Sequence, residues 1–128
     1  MTIHQEIHFK CKPQRVFKAL TNAQQFGELT NAPTEIAPEP GGKFSCFGEM
    51  ISGLTIEIVP DKRLVQAWRV GNWEPGVYSI VKFELEQIND AETKLIIDHT
   101  GYPQEHEDHL EQGWHDNYWE PMKKYMDT

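Results

Sequence analysis

The sequence of 128 residues predicts an α+β domain. A curved antiparallel sheet of about six strands wraps on one long C-terminal helix, and two short helices follow the first strand. Three observations predict it. Leu110, Trp114, Tyr118, Met122 and Met126 recur every fourth residue, which on a helix makes one ridge along one face. Upstream, short runs of alternating apolar and polar residues are separated by Gly, Pro, Asn and Asp, the pattern of strands joined by turns. Between the first such run and the rest, Pro13 and Asn22 mark two helix starts.

In order along the chain, residues 3–11 alternate, with Ile3, Ile7, Phe9 and Cys11 on one face of a strand. His4, Glu6, His8 and Lys10 form its wet face, where the two histidines lie too far apart to share a metal. Pro13 stands at the favoured first position of a helix whose stripe is Val16, Phe17 and Leu20. Asn22, with Gln25 three residues later, caps a second helix carrying Phe26 and Leu29. Residues 31–33 and 38–42 are breaks, and residues 43–47 read as a short strand, with Gly48 and Gly53 flanking a bulge or tight turn. Residues 54–59 read as a strand with Leu54, Ile56 and Ile58 inward; 60–63 turn the chain and 64–70 return antiparallel.

Residues 71–76 read as an exposed loop with one tryptophan, Trp73, placed to cover the mouth of a cavity or to meet a partner. The next strand, 78–85, points Ser79, Val81, Phe83 and Leu85 inward. After a turn at Asn89 and Asp90, residues 94–100 place Leu95, Ile97 and His99 on one face and Ile96 and Asp98 on the other. The long helix covers 105–126, roughly 30 Å. Glu105, Glu107 and Asp108 in its first turn and Lys123 and Lys124 in its last suit the helix dipole. Gly113 costs about 1 kcal/mol against Ala in a helix interior, which suggests a neighbour close by. Pro121 removes the bond that the Asn117 carbonyl would accept, so a kink is expected there.

The chain length fits a single domain over residues 1–128. A formal net charge of −8 argues against nucleic acid or an anionic membrane as partner. Cys11 and Cys46 read as free thiols in a reducing compartment. No apolar run approaches the ~18 residues of a membrane span, and no secretory signal pattern is present, so the expected localisation is cytoplasmic. His106 and His109 lie one turn apart but lack a metalloprotease spacing, so neither a metal nor a cofactor is expected. No serine or cysteine sits in a recognisable nucleophile motif. His99 is the one acid–base candidate, and Asp98 faces away from it. The predicted inner face mixes Phe and Ile with Gln66, Ser79 and His99 beside Trp114 and Tyr118, the make-up of a small-molecule cavity. Trp119 is expected at a sheet edge or against another subunit.

Ile56-Glu57-Ile58-Val59-Pro60, followed by Arg63-Leu64-Val65 and Trp68, resembles the E-I-V-P-x-x-R-L-V-x-x-W strand pair of the activator of heat-shock-protein-90 ATPase homologue family. His99-Thr100-Gly101-Tyr102-Pro103 is similar to that family's H-T-G-[aromatic or Leu]-P, and Gly113-Trp114 followed by Tyr118, Met122 and Tyr125 resembles its G-W helix start. The resemblance covers nearly the whole chain. It implies a START-like (SRPBCC) helix-grip fold with a cavity under the C-terminal helix. The eukaryotic namesake joins such a domain to another that contacts the chaperone, whereas one domain alone is expected here.

Three functional expectations follow. The first is a non-catalytic binding module holding a small hydrophobic ligand, with Trp68, Phe83, His99, Trp114 and Tyr118 lining the site and His99 and Tyr118 supplying polar contacts. The second is a protein-interaction module acting on a chaperone ATPase in stress response, through the acidic surface and an exposed Trp73. The third is a cyclase- or dehydratase-like enzyme with His99 as base. Either a monomer or a homodimer is compatible with all three.

Overall fold

A computed structural model describes residues 2–126. β1 (Thr2–Phe9) alternates as expected, burying Ile3, Ile7 and Phe9, but Gln5 is buried with them. α1 (Pro13–Thr21) starts at Pro13, and α2 (Ala23–Thr30) is capped by Asn22, whose Oδ1 accepts from the Gln25 N–H at 3.0 Å. The remaining strands are β2 (Glu35–Ile36), β3 (Lys43–Cys46), β4 (Ile51–Val59), β5 (Arg63–Val70), β6 (Ser79–Asn89) and β7 (Glu92–Thr100). All pair antiparallel in one sheet of order β1-β7-β6-β5-β4-β3-β2. The strand beyond the expected six is β2, whose two residues are too few to show an alternation.

β4 faces the other way from its predicted orientation. Leu54 is 40 % exposed and Ile56 47 %, while Thr55 between them is 2 % exposed. The register against β5 shifts between Thr55 and Glu57, so Ile56 is the extra residue of a bulge. A bulge moves every following side chain to the opposite face. Ile58, opposite Leu64, therefore packs against the core as expected.

The C-terminal helix runs from a 3-10 turn (Gln104–His106) through α3 (Glu107–Trp114), a π-helical turn (His115–Trp119) and α4 (Glu120–Met126). The expected irregularity at Pro121 takes the form of that π turn. Pro121 has no N–H to give the Asn117 carbonyl, and the wider turn closes with the Glu120 N–H on the His115 carbonyl. In a regular α-helix every fourth residue advances about 40° around the axis, which would carry the ridge off the sheet. The wide turn rotates it back, and Leu110, Trp114, Tyr118, Met122 and Met126 are all buried. The same turn brings Trp119 inward beside Tyr118. Trp119 is 1 % exposed, so it packs within the chain and is no contact surface for another subunit. Its indole N–H donates to Gln5 Oε1 at 2.6 Å, and Gln5 Nε2 donates to the Glu111 carbonyl at 3.0 Å, tying β1 to the helix.

A second polar link crosses the middle of the core. Trp114 Nε1 donates to His99 Nδ1 at 3.2 Å. An indole nitrogen can only donate, so Nδ1 accepts and the ring proton sits on Nε2. That N–H meets Ser79 Oγ at 2.8 Å, and the Ser79 hydroxyl donates to the Trp68 carbonyl at 2.9 Å. His99 is fully buried, and burial pushes its pKa down to about 3.

Two outcomes are expected. Gln5→Leu strands the Trp119 N–H and should lower unfolding free energy in urea by about 1–3 kcal/mol. An unfolded histidine titrates near 6.5, so between about 6.5 and about 3 the unfolded chain holds a proton that folded His99 lacks. The contribution of His99 is therefore complete above that window and shrinks as pH falls through it. Urea unfolding across the window should show the stability of the wild type converging on that of His99→Gln as pH falls; parallel curves would contradict a neutral buried imidazole.

Candidate functional site

A cavity of about 310 Å³ lies between the C-terminal helix, the end of β5, the turn before β4 and the loop after β5. β5 alternates, so Gln66 and Trp68 point to the helix side while Arg69 points away. Trp68 forms one wall, and Trp114 stacks on it with ring centres 5.3 Å apart. Tyr118, one turn on, lies 4.4 Å from Trp114. Ile51, Val70 and Leu110 add apolar surface, and Met50, Asn72, His109 and Asn117 stand at exposed positions around the rim.

Trp73 covers the cavity, one of its two expected places, and the structure corrects the expectation that it is exposed. It is 6 % exposed, edge-on to Trp68 at 5.9 Å and parallel to His106 at 6.4 Å. The reason lies on the outer face of the sheet. Arg69 donates to the carbonyls of Trp73 (2.8 Å), Glu74 (3.2 Å) and Val77 (3.3 Å), pinning the loop so that its tryptophan covers the cavity. Gly113 also differs from expectation. A Cβ there would meet only Asn117 Nδ2, at 3.6 Å, so the glycine opens the helix surface to the cavity and brings no neighbour close.

Trp68, Trp114 and Tyr118, three of the residues singled out from the sequence, share the cavity wall. Phe83 and His99 lie behind it. Phe83 is edge-on to Trp114 at 5.8 Å and borders a separate void of about 10 Å³. His99 is edge-on to Trp68 at 4.9 Å and to Trp114 at 5.6 Å, with both ring nitrogens engaged. Sequence reasoning missed Ile51, Val70, Asn72 and Asn117, which adjoin turns or fall off the helical ridge. Leu110 was visible on that ridge, though not as a lining residue.

Among the described residues no Asp, Glu, Lys or Arg lines the cavity. The Tyr118 hydroxyl lies 3.8 Å from Cys46 Sγ; burial first and the neighbouring thiol second hold its pKa well above the ordinary tyrosine value. Burial also pushes the Cys46 thiol up to about 12, so it is no thiolate nucleophile. The Trp68 N–H approaches the Tyr118 hydroxyl closely enough to favour its ionised form slightly, yet makes no hydrogen bond. Among the described residues Trp68 Nε1 is the one buried side-chain nitrogen or oxygen without a partner. Among the same residues no three His, Cys, Asp or Glu are grouped to hold a metal ion, and no helix is long and apolar enough to cross a membrane.

Comparison with known proteins fits this architecture. Residues 10–127 match the family described as Activator of Hsp90 ATPase homolog 1-like protein. An Activator of 90 kDa heat shock protein ATPase homolog from Dictyostelium discoideum is 30 % identical over 122 residues, 95 % of this chain and 32 % of that protein. The Homo sapiens Activator of 90 kDa heat shock protein ATPase homolog 1 is 28 % identical over 116 residues, 91 % of this chain and 34 % of the relative. The chain thus spans about a third of the length of these curated relatives. The crystal structure of an HSP90 activator from Plasmodium falciparum superposes with a TM-score of 0.93 at 24 % identity, covering 99 % of this chain and 96 % of that one. The helix-grip architecture is therefore common to both. With the matched model spanning nearly the whole sequence, the chain belongs to the Activator of Hsp90 ATPase homolog 1-like protein family.

Proposed function

We propose that this domain is a non-catalytic binding module that receives a small, neutral, largely apolar molecule between its sheet and its C-terminal helix. The observation that carries this reading is the aromatic cavity itself. Its volume of about 310 Å³ falls at the lower end of small-molecule sites, its walls are Trp68, Trp73, Trp114 and Tyr118, and among the described residues no Asp, Glu, Lys or Arg lines it. Trp68, Trp114 and Tyr118 make the contacts in this reading, while Phe83 and His99 hold those rings in place. The enzymatic alternative loses support because its base, His99, is neutral, buried and bonded at both nitrogens.

A second reading, action on a chaperone ATPase, is favoured by the names of the relatives and by one surface feature. Trp73 is internal, so it cannot serve as the exposed contact. On the outer sheet face, however, Leu54, Ala67 and Ile80 stand in one cross-strand row, with exposed Ile56 and Tyr78 near its ends. Such an apolar row facing solvent is a contact surface in search of a partner.

Each reading has its own test. Native mass spectrometry of freshly purified protein should show a bound small-molecule mass, and Gly113→Leu, whose side chain enters the cavity, should lose it. The variant should fold at least as well, since leaving glycine in a helix gains up to about 1 kcal/mol. A bare wild-type mass, even after incubation with a host-cell extract, would sink the cavity reading. For the second, adding the chain to Hsp90 should raise its ATPase rate, and Ile80→Lys should reduce the effect; an unchanged rate with the wild type removes it.

A further inference from the structure

Resting on the cavity reading above, we infer that the mouth of the cavity is a polar subsite whose ligand is amphipathic, with an apolar body held inside and a neutral head, an amide or an alcohol, held at the mouth by Asn117. Two strips of the C-terminal helix line the cavity, each with a residue at every fourth position. Leu110, Trp114 and Tyr118 make the inner strip and are buried. His109, Gly113 and Asn117 make the strip beside it on the solvent side, where His109 and Asn117 are exposed and Gly113 is half-buried. Glycine opens this outer strip at its centre. The Asn117 amide stands at the opening, its Nδ2 3.6 Å from where a Gly113 Cβ would be. Asn72, exposed on the loop after β5, lines the same cavity. Among the described residues, none of the side chains of Asn72, His109 and Asn117 has a hydrogen-bond partner.

The chemistry of the head follows from these groups. A side-chain amide both donates and accepts, and a neutral imidazole carries one donor and one acceptor. An amide or alcohol head uses both capacities, and a hydrocarbon uses neither. A carboxylate head is opposed by its surroundings. From Glu105 to Met122 the helix carries six acidic residues, Glu105, Glu107, Asp108, Glu111, Asp116 and Glu120, and no Lys or Arg. His106 and His109 in the lining are therefore outnumbered even where they carry charge. A cationic head finds no Asp or Glu among the described lining residues to pair with. The inner strip and Trp68 leave the body of the ligand only apolar and aromatic faces to rest on.

The test titrates β-naphthylacetamide and a hydrocarbon of equal shape, β-isobutylnaphthalene, into the full chain and into Asn117→Ala. Nitrogen-edited NMR follows the indole N–H groups and the asparagine side-chain amides. In the wild type both probes should move indole signals of the cavity, and only the acetamide should move the Asn117 amide signals. Asn117→Ala should lower the affinity for the acetamide relative to the hydrocarbon by about fivefold, the worth of one hydrogen bond. If that variant does not fold, the wild-type Asn117 signals decide alone. Asn117 signals that stay in place, an unchanged affinity ratio, or tighter binding of β-naphthylacetate or β-naphthylethylamine than of the acetamide overturn the polar mouth and leave the cavity reading intact. If no probe moves any indole of the cavity, both fall together.

Discussion

The Trp114 indole N–H is buried and needs an acceptor, and the fold is arranged around delivering one. That acceptor, His99 Nδ1, sits on β7; the proton on the far side of the ring goes to Ser79 on β6, and the Ser79 hydroxyl to the Trp68 carbonyl on β5. The β5–β6 pairing ends at the Trp68–Ser79 pair, so the serine closes a ladder that the backbone leaves open. Helix and sheet are thereby fixed in rotation as well as in spacing. Sliding the helix by one residue would bury a tryptophan donor and a histidine acceptor with nothing to meet, and apolar packing alone imposes no such penalty. The imidazole is a structural joint for the same reason that it is a poor base: both nitrogens are engaged and burial keeps the ring neutral.

Pro121 imposes the second constraint. Its missing N–H is accommodated by the wide turn at residues 115–119, which puts Tyr118 and Trp119 on the inner side together. Tyr118 becomes a wall of the cavity and Trp119 reaches Gln5 on β1. Gly113 on the preceding turn leaves room for the cavity at the same level. The helix is therefore packed tight at its C-terminal half and hollow beside its middle. One imino acid and one glycine separate a solid core from an open one within two turns.

How much of this was legible follows from how each feature is encoded. The ridge from Leu110 to Met126 and the inward face of Ser79, Val81 and Phe83 are written in local spacing, and spacing survives translation into structure. Asn22 and Pro13 are local too. The motifs at residues 56–68 and 99–103 added the architecture as a whole. What escaped depends on partners distant in sequence. Leu54 and Ile56 alternate as an apolar face should, but a bulge at Ile56 leaves no mark in composition and reverses the face. Trp73 sits among Gly, Asn and Pro and reads as exposed, because the three hydrogen bonds from Arg69 that fold it inward are visible only in three dimensions. Trp119 meets the edge strand β1, one of its two expected places, and only its full burial, which the wide turn brings about, was hidden by counting on a regular helix. Gln5 was overlooked because a polar residue on an apolar face looks like an exception until its two partners are seen.

The tryptophans of this chain number four, and all of them lie in one file: Trp73 to Trp68 at 5.9 Å, Trp68 to Trp114 at 5.3 Å, Trp114 to Trp119 at 5.7 Å. Rings this close exchange excitation energy, so the fluorescence of any one tryptophan is expected to report on its neighbours along the file, from the covering loop to the junction of helix and first strand.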